Sequence, residues 1–147
     1  MKRFYSLAAY ALCALLMTSC SDSGSDEPTP EEATFRVDLQ QTGDYEKFTK
    51  IVTISGGEFK STGTNEPMPT ILYNEELADG SVSYEADDVR ELKVHSTIGF
   101  SPVEDAPASM AMKITVYQNG EVLDENTYTY TQDSDAVNKE LTYKANQ

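Results

Sequence analysis

Histidine occurs once in the 147 residues, as His95, and cysteine twice, as Cys13 and Cys20. That inventory limits what chemistry the chain could do. A serine nucleophile needs an imidazole base held by a third group, and no nucleophile-elbow pattern accompanies His95. Lys93, His95 and Thr97 share one parity while Leu92, Val94 and Ile98 share the other, so alternation puts the imidazole on the solvent face. Zinc would need further His or Cys ligands beside it, and none is at hand. Carboxylates are abundant: Glu75-Glu76, Asp87-Asp88 and Asp133-Ser134-Asp135 could each lend oxygens to Ca²⁺, which takes about six to eight. None has the spacing of a calcium loop with its glycine and terminal glutamate. Paired carboxylates could also hydrolyse glycosides, but only in a cleft that fixes their separation, which a small β domain rarely provides. The expectation is a protein that is not an enzyme and has no metal and no cofactor.

Tyrosines are the remaining candidates for contact with a ligand. Tyr128 and Tyr130 lie two apart, about 6.6 Å along one face of a strand, and Tyr117 and Tyr143 could join them. Rings at that spacing could stack on a sugar or receive side chains of a partner protein. The competing reading packs the same rings into the core with wet hydroxyls. The absence of Trp weakens the glycan option.

The elements that must position these residues read as strands separated by turns. Phe35, Val37 and Leu39 alternate with polar residues, and Leu92, Val94, Ile98 and Phe100 share a face broken only by Ser96. Three pairs suggest tight hairpins: Gly56-Gly57, setting Ile54 opposite Phe59; Asp79-Gly80, setting Leu77 opposite Val82; and Asn119-Gly120, setting Val116 opposite Leu123. The last places Ile114 and Met112 opposite polar residues, so a bulge near residues 124–126 or a longer turn is expected to bring Tyr128 and Tyr130 back to the core side. In the final strand Val137, Leu141 and Tyr143 share a face that Lys139 interrupts. Only short helical turns are expected, near Asp44–Lys47 or Ala86–Arg90. The pattern predicts an all-β antiparallel sandwich, immunoglobulin-like in shape, with a small up-and-down barrel as the alternative.

The N-terminus supplies an address. Lys2 and Arg3 precede an apolar run from Phe4 to Met17, and Thr18 and Ser19 lead to Cys20, the pattern of a secretory signal too short to span a bilayer. Ending at a cysteine, it resembles the lipobox of bacterial lipoproteins, with Met17 where Leu is usual. The resemblance implies that residues 1–19 are removed and that Cys20 carries the acyl chains that hold the protein to the membrane. The alternative is an ordinary signal whose cysteine is incidental. Residues 20–33 are Ser-, Asp-, Glu- and Pro-rich, a tether that cannot offset its ordering entropy. Its acids resemble the export signal of surface lipoproteins in Bacteroides-type bacteria, which implies the outer membrane and the cell surface; a periplasm-facing domain is the alternative. Residues 34–147 then form one domain.

Lys2 and Arg3 precede Cys20 and all 25 acids follow it, leaving nine basic side chains and a net charge of −16. Such a polyanion argues against nucleic acid as a partner and against electrostatic binding to anionic lipid. The expected role is a lipid-anchored envelope module that binds a protein or a glycan without chemistry. The alternative is an accessory subunit of an envelope assembly.

Overall fold

The computed structural model describes residues 31–102, 105 and 107–145; Cys20 and its tether lie outside the described residues. The strands are β1 (Ala33–Gly43), β2 (Phe48–Ser55), β3 (Lys60–Ser61), β4 (Ser81–Val89), β5 (Glu91–Phe100), β6 (Ser109–Gln118), β7 (Glu121–Thr131) and β8 (Val137–Lys144). They form a five-stranded sheet in the order β3-β4-β1-β6-β7 and a three-stranded sheet in the order β2-β5-β8. All pairings are antiparallel. The molecule is a sandwich and not a closed barrel.

Alternation explains the core. Phe35, Val37 and Leu39 of β1, Val52 and Ile54 of β2, Leu92, Val94 and Ile98 of β5, and Met110, Met112, Ile114 and Val116 of β6 are all buried. Apart from Ser96, which is buried on the inward face of β5, the polar residues between them take the opposite parity, because successive side chains of a strand point to opposite faces. Among the described residues, the members of this core lie between Ala33 and Ala145.

Turn chemistry decides the details, and two expected hairpins do not form. Ile54 does not pair with Phe59. Gly56-Gly57 instead carries the chain from one sheet to the other, since β2 pairs with β5 and β3 pairs with β4. Gly56 has φ +116°, and a side chain there would run into the Glu91 carbonyl. Nor does Leu77 sit in a strand opposite Val82. It is buried within a run of turns, its N–H donating to the Tyr73 carbonyl at 3.2 Å. The Asn119-Gly120 turn does form, with φ +53° and +85° and Gln118 opposite Glu121. The bulge falls at Leu123, slightly earlier than expected, and puts Val116 opposite Asp124 and Met110 opposite Tyr130. Tyr45–Lys47 is a 3-10 turn as expected, whereas Ala86–Val89 stays in β4, with Asp88 at φ +56° taking up the kink.

The two flanks differ. On one, residues 59–72 form a strap: β3 pairs with β4, and Leu72 then pairs with Val52 on the edge of the other sheet. Phe59 and Leu72 are buried beneath it. On the other flank, β7 and β8 end their sheets with no further strand among the described residues.

Candidate functional site

The expected tyrosine cluster separates into three locations. Tyr130 is 1% exposed and belongs to the core, so it has no surface to offer a ligand. Burial raises its phenol's pKa, and its hydroxyl has no hydrogen-bond partner among the described residues. Tyr117 lies on the outer face of the larger sheet, its ring covered by the Arg36 guanidinium at 3.7 Å. Tyr128 on β7 and Tyr143 on β8 are each half-buried and lie near each other. There the Tyr143 hydroxyl donates to Asp124 Oδ2 at 2.7 Å, and Lys139 Nζ lies 5.1 Å from the centre of the Tyr128 ring. This is an internal latch and not an exposed stacking platform. His95 takes the parity expected of it, on β5 opposite Glu140 and Thr53, and is half-buried.

One end of the sandwich gathers three connections: the Asp44–Lys47 turn, the β5–β6 loop and the β7–β8 loop. Asp44 follows the last residue of β1. Its N–H donates to the Ser109 carbonyl at 2.8 Å, and its Oδ2 accepts from the Ser109 N–H at 3.1 Å. Across a cavity of about 290 Å³, Gln132 Oε1 accepts from the Ala108 N–H at 3.0 Å, and Gln132 Nε2 donates to Asp133 Oδ2 at 3.1 Å. Asp44 and Asp133 therefore line one cavity, each with one oxygen engaged by a neighbour. The expected Asp133-Ser134-Asp135 group contributes its first member to that cavity. Glu75-Glu76 and Asp87-Asp88 do not line it.

Lysines brace the same end. Lys47 Nζ donates to the Asp105 carbonyl at 2.8 Å. Lys50, inward-facing on β2 and 2% exposed, donates to the Tyr45 carbonyl at 2.6 Å. Burial lowers its pKa, against the opposing pull of Glu46. Gln41 Nε2 donates to the Leu77 carbonyl at 2.6 Å. Asp44, Lys50 and Gln41 escape sequence reasoning because nothing local marks them. Inward parity at Gln41 and Lys50 was the available signal, and it is visible only once their strands are set in register.

This arrangement, carbonyls and carboxylates of separate loops at one end of an eight-stranded sandwich, is where comparison with known proteins becomes informative. A model of the family described as PLAT/LH2 and C2-like Ca²⁺-binding lipoprotein matches residues 2–144. The chain belongs to this family. Among solved structures, it resembles the calcium-bound form of a protein from Parabacteroides distasonis, determined by NMR. Identity is 26% and the TM-score 0.66, over 82% of this chain and 98% of that one. It also resembles two domains of unknown function. One, from Bacteroides vulgatus, is 11% identical with a TM-score of 0.63, over 79% of this chain and 97% of that one. The other, from Bacteroides ovatus, is 7% identical with a TM-score of 0.62, over 80% of this chain and 98% of that one. These two likenesses bear on the fold alone. No curated protein matches the chain in sequence.

The family's ion can be tested against the residues present. Calcium prefers hard oxygen donors, about six to eight of them, from carboxylates, carbonyls and water. Among the described residues no three Asp, Glu, His or Cys converge. The cavity at the loop end nonetheless offers two carboxylates, Asp44 and Asp133, with no sulfur or imidazole beside them. The donor chemistry fits a hard cation, and main-chain carbonyls and water would complete the count.

Proposed function

We propose that this chain is a lipid-anchored, non-catalytic binding module of the outer membrane, displayed at the cell surface, whose loop end holds calcium. The observation that carries the reading is that Asp44 and Asp133, from connections far apart in sequence, line one cavity at the loop end. The family to which the chain belongs is described as calcium-binding, which supports a calcium site in this chain. Bound there, calcium would supply a fixed positive charge in an otherwise strongly acidic chain. Asp44 and Asp133 would hold it, while Lys47 and Lys50 keep the adjoining carbonyls in place. The partner is a protein or a glycan from the envelope or its surroundings. The acyl chains on Cys20 provide attachment, since no helix of the described residues is long and apolar enough to cross a membrane.

The test is calorimetric. Titrating CaCl₂ into the domain should give saturable binding that Asp44→Asn and Asp133→Asn each weaken at least about tenfold, the loss of one charged ligand. Absence of heat at millimolar calcium would remove the ion from this reading. For the anchor, Cys20→Ala should release the protein from sedimented membranes; a variant that pellets like the parent would refute acylation at Cys20.

A further inference from the structure

The strap leaves something undone on the edge it covers. In a strand, alternate residues turn their N–H and C=O groups the same way. Lys50, Val52 and Ile54 therefore all face the free edge of β2. Asn74 Oδ1 accepts the Lys50 N–H at 2.8 Å. Leu72 both accepts from and donates to Val52, at 2.9 and 2.8 Å. For Ile54, a residue 4% exposed, no such partner exists among the described residues.

The reason is written in the strap. Continued antiparallel from Leu72 opposite Val52, it would set Thr70 opposite Ile54. Instead Pro67 and Pro69 intervene, and proline cannot sustain a ladder. The chain peels away, and beside the vacated edge lies a cavity of about 740 Å³ lined by Ile54, Phe59, Met68 and Ile71 and by the exposed Glu58 and Lys60. That volume is ample for one large apolar side chain. The Ile54 N–H and C=O lack a protein partner among the described residues, and a ligand able to pair with both takes up the hydrogen bonds that the strap forgoes.

We infer that the vacated edge at Ile54 is a docking site for an extended segment of another polypeptide. One apolar residue of that segment pairs with the Ile54 N–H and C=O as Leu72 pairs with Val52. Its side chain enters the cavity between Phe59, Met68 and Ile71, and charged flanking residues meet Glu58 and Lys60. The fold contains the precedent in Leu72, whose side chain is fully buried beside the same edge. Affinity from main-chain hydrogen bonds and selectivity from one pocket is the mode of strand addition. This deepens the reading of the chain as a binding module by naming a protein partner, and it is independent of calcium at the opposite end.

The probe is the blocked tetrapeptide acetyl-Glu-Lys-Thr-Leu-amide, which ends at the leucine opposite Ile54 because Leu72 already holds Val52, titrated into the ¹⁵N-labelled domain in EGTA and again in CaCl₂. Expected are shifts centred on Ile54, Phe59, Met68 and Ile71, with slowed hydrogen exchange of the Ile54 amide in both buffers. An analogue with an ester in place of the leucine N–H should bind about three- to tenfold more weakly, the worth of one hydrogen bond. Met68→Arg, or Ile71→Glu should the first variant not fold, should abolish binding at unchanged Tm. Equal binding of the ester analogue, or shifts that avoid Ile54 or are absent at millimolar peptide, would overturn the site. Calcium calorimetry reads the other end, so either proposal can fail without the other.

Discussion

The two flanks of the sandwich solve the same problem by opposite means. Where β3 and β2 would leave edges, the strap bridges the sheets with buried Phe59 and Leu72 and with main-chain hydrogen bonds to Val52. Where β7 and β8 end their sheets, the gap is closed by half-buried tyrosines and one charge-assisted hydrogen bond, Tyr143 to Asp124. The first closure is apolar, which ties it to overall stability. The second is polar, which ties it to pH. An edge strand is a template for pairing, and each flank blunts its edge only in part. The strap abandons Ile54, while β7 relies on its Leu123 bulge and on Glu121, Asp124 and Glu125.

The largest effect should come from the apolar flank. Leu72→Ala removes a fully buried side chain from the point where the strap meets β2. Cost in such sites is about 2–5 kcal/mol, read as a lower urea midpoint at constant m-value. A loss below about 1 kcal/mol would mean that the strap contributes little, and the contrast between the flanks would collapse.

A smaller effect is expected at the hairpin that delivers β7 to the polar flank. Gly120 has φ +85° and nothing within 4 Å of where a side chain would go, so a substitution there meets only backbone strain. Gly120→Val should therefore cost about 1–2 kcal/mol, the penalty for a side chain held in the left-handed region. Because β7 pairs within its sheet only with β6, the loss should appear first as faster hydrogen exchange along β7 and only later along β1.

How far these flanks were legible in the sequence follows from the range of the interactions. Alternation in β1, β5 and β8 is a local property, and it located the inward faces and even the solitary Ser96. The Asn119-Gly120 turn was equally local, and the misfit of Met112 and Ile114 with their partners announced a bulge. Strand partition between sheets is not local. Gly56-Gly57 permits a tight hairpin or a crossover alike, and the choice is made by Glu91 and Val89, whose proximity depends on β4 and β5 being in place. The strap was hidden for a similar reason. Two residues of β3 and one paired Leu72 carry no periodicity, and the prolines that shape them read simply as loop. Tyr128 and Tyr130 share a parity, yet one comes to rest beside Lys139 at the flank and the other in the core. Asp44 and Asp133 escaped because each stands in an unremarkable turn and gains meaning only from the other.

The smallest effect, and the one that separates the flanks by mechanism, belongs to the polar latch. The Tyr143 hydroxyl holds the Asp124 carboxyl below the usual range, with help from Asn126 and the Glu125 N–H. Burial, then the same hydrogen bond, pushes the Tyr143 phenol well up. For Asp124, a folded pKa below the unfolded value of 3.8 means that its stabilisation is complete above that pH and is lost as acid protonates the folded form. For Tyr143, a folded pKa above the unfolded value of 10.0 means the reverse: full stabilisation at neutral pH, and loss as the pH rises past 10. Tyr84, Tyr128 and Tyr130 are also held up by burial and share the alkaline limb, so the acid limb is the cleaner reading. Tyr143→Phe should cost about 1 kcal/mol at pH 7, one hydrogen bond to a partly solvated carboxylate. The measurement is the urea midpoint of parent and variant from pH 7 down to pH 2. The difference between them should persist to about pH 4, the unfolded carboxylate value, and shrink below it. Leu72→Ala, carrying no titratable group, should show the same deficit throughout that range. Parallel curves for parent and Tyr143→Phe would show that the latch is not electrostatic, and the two closures would then differ in size alone.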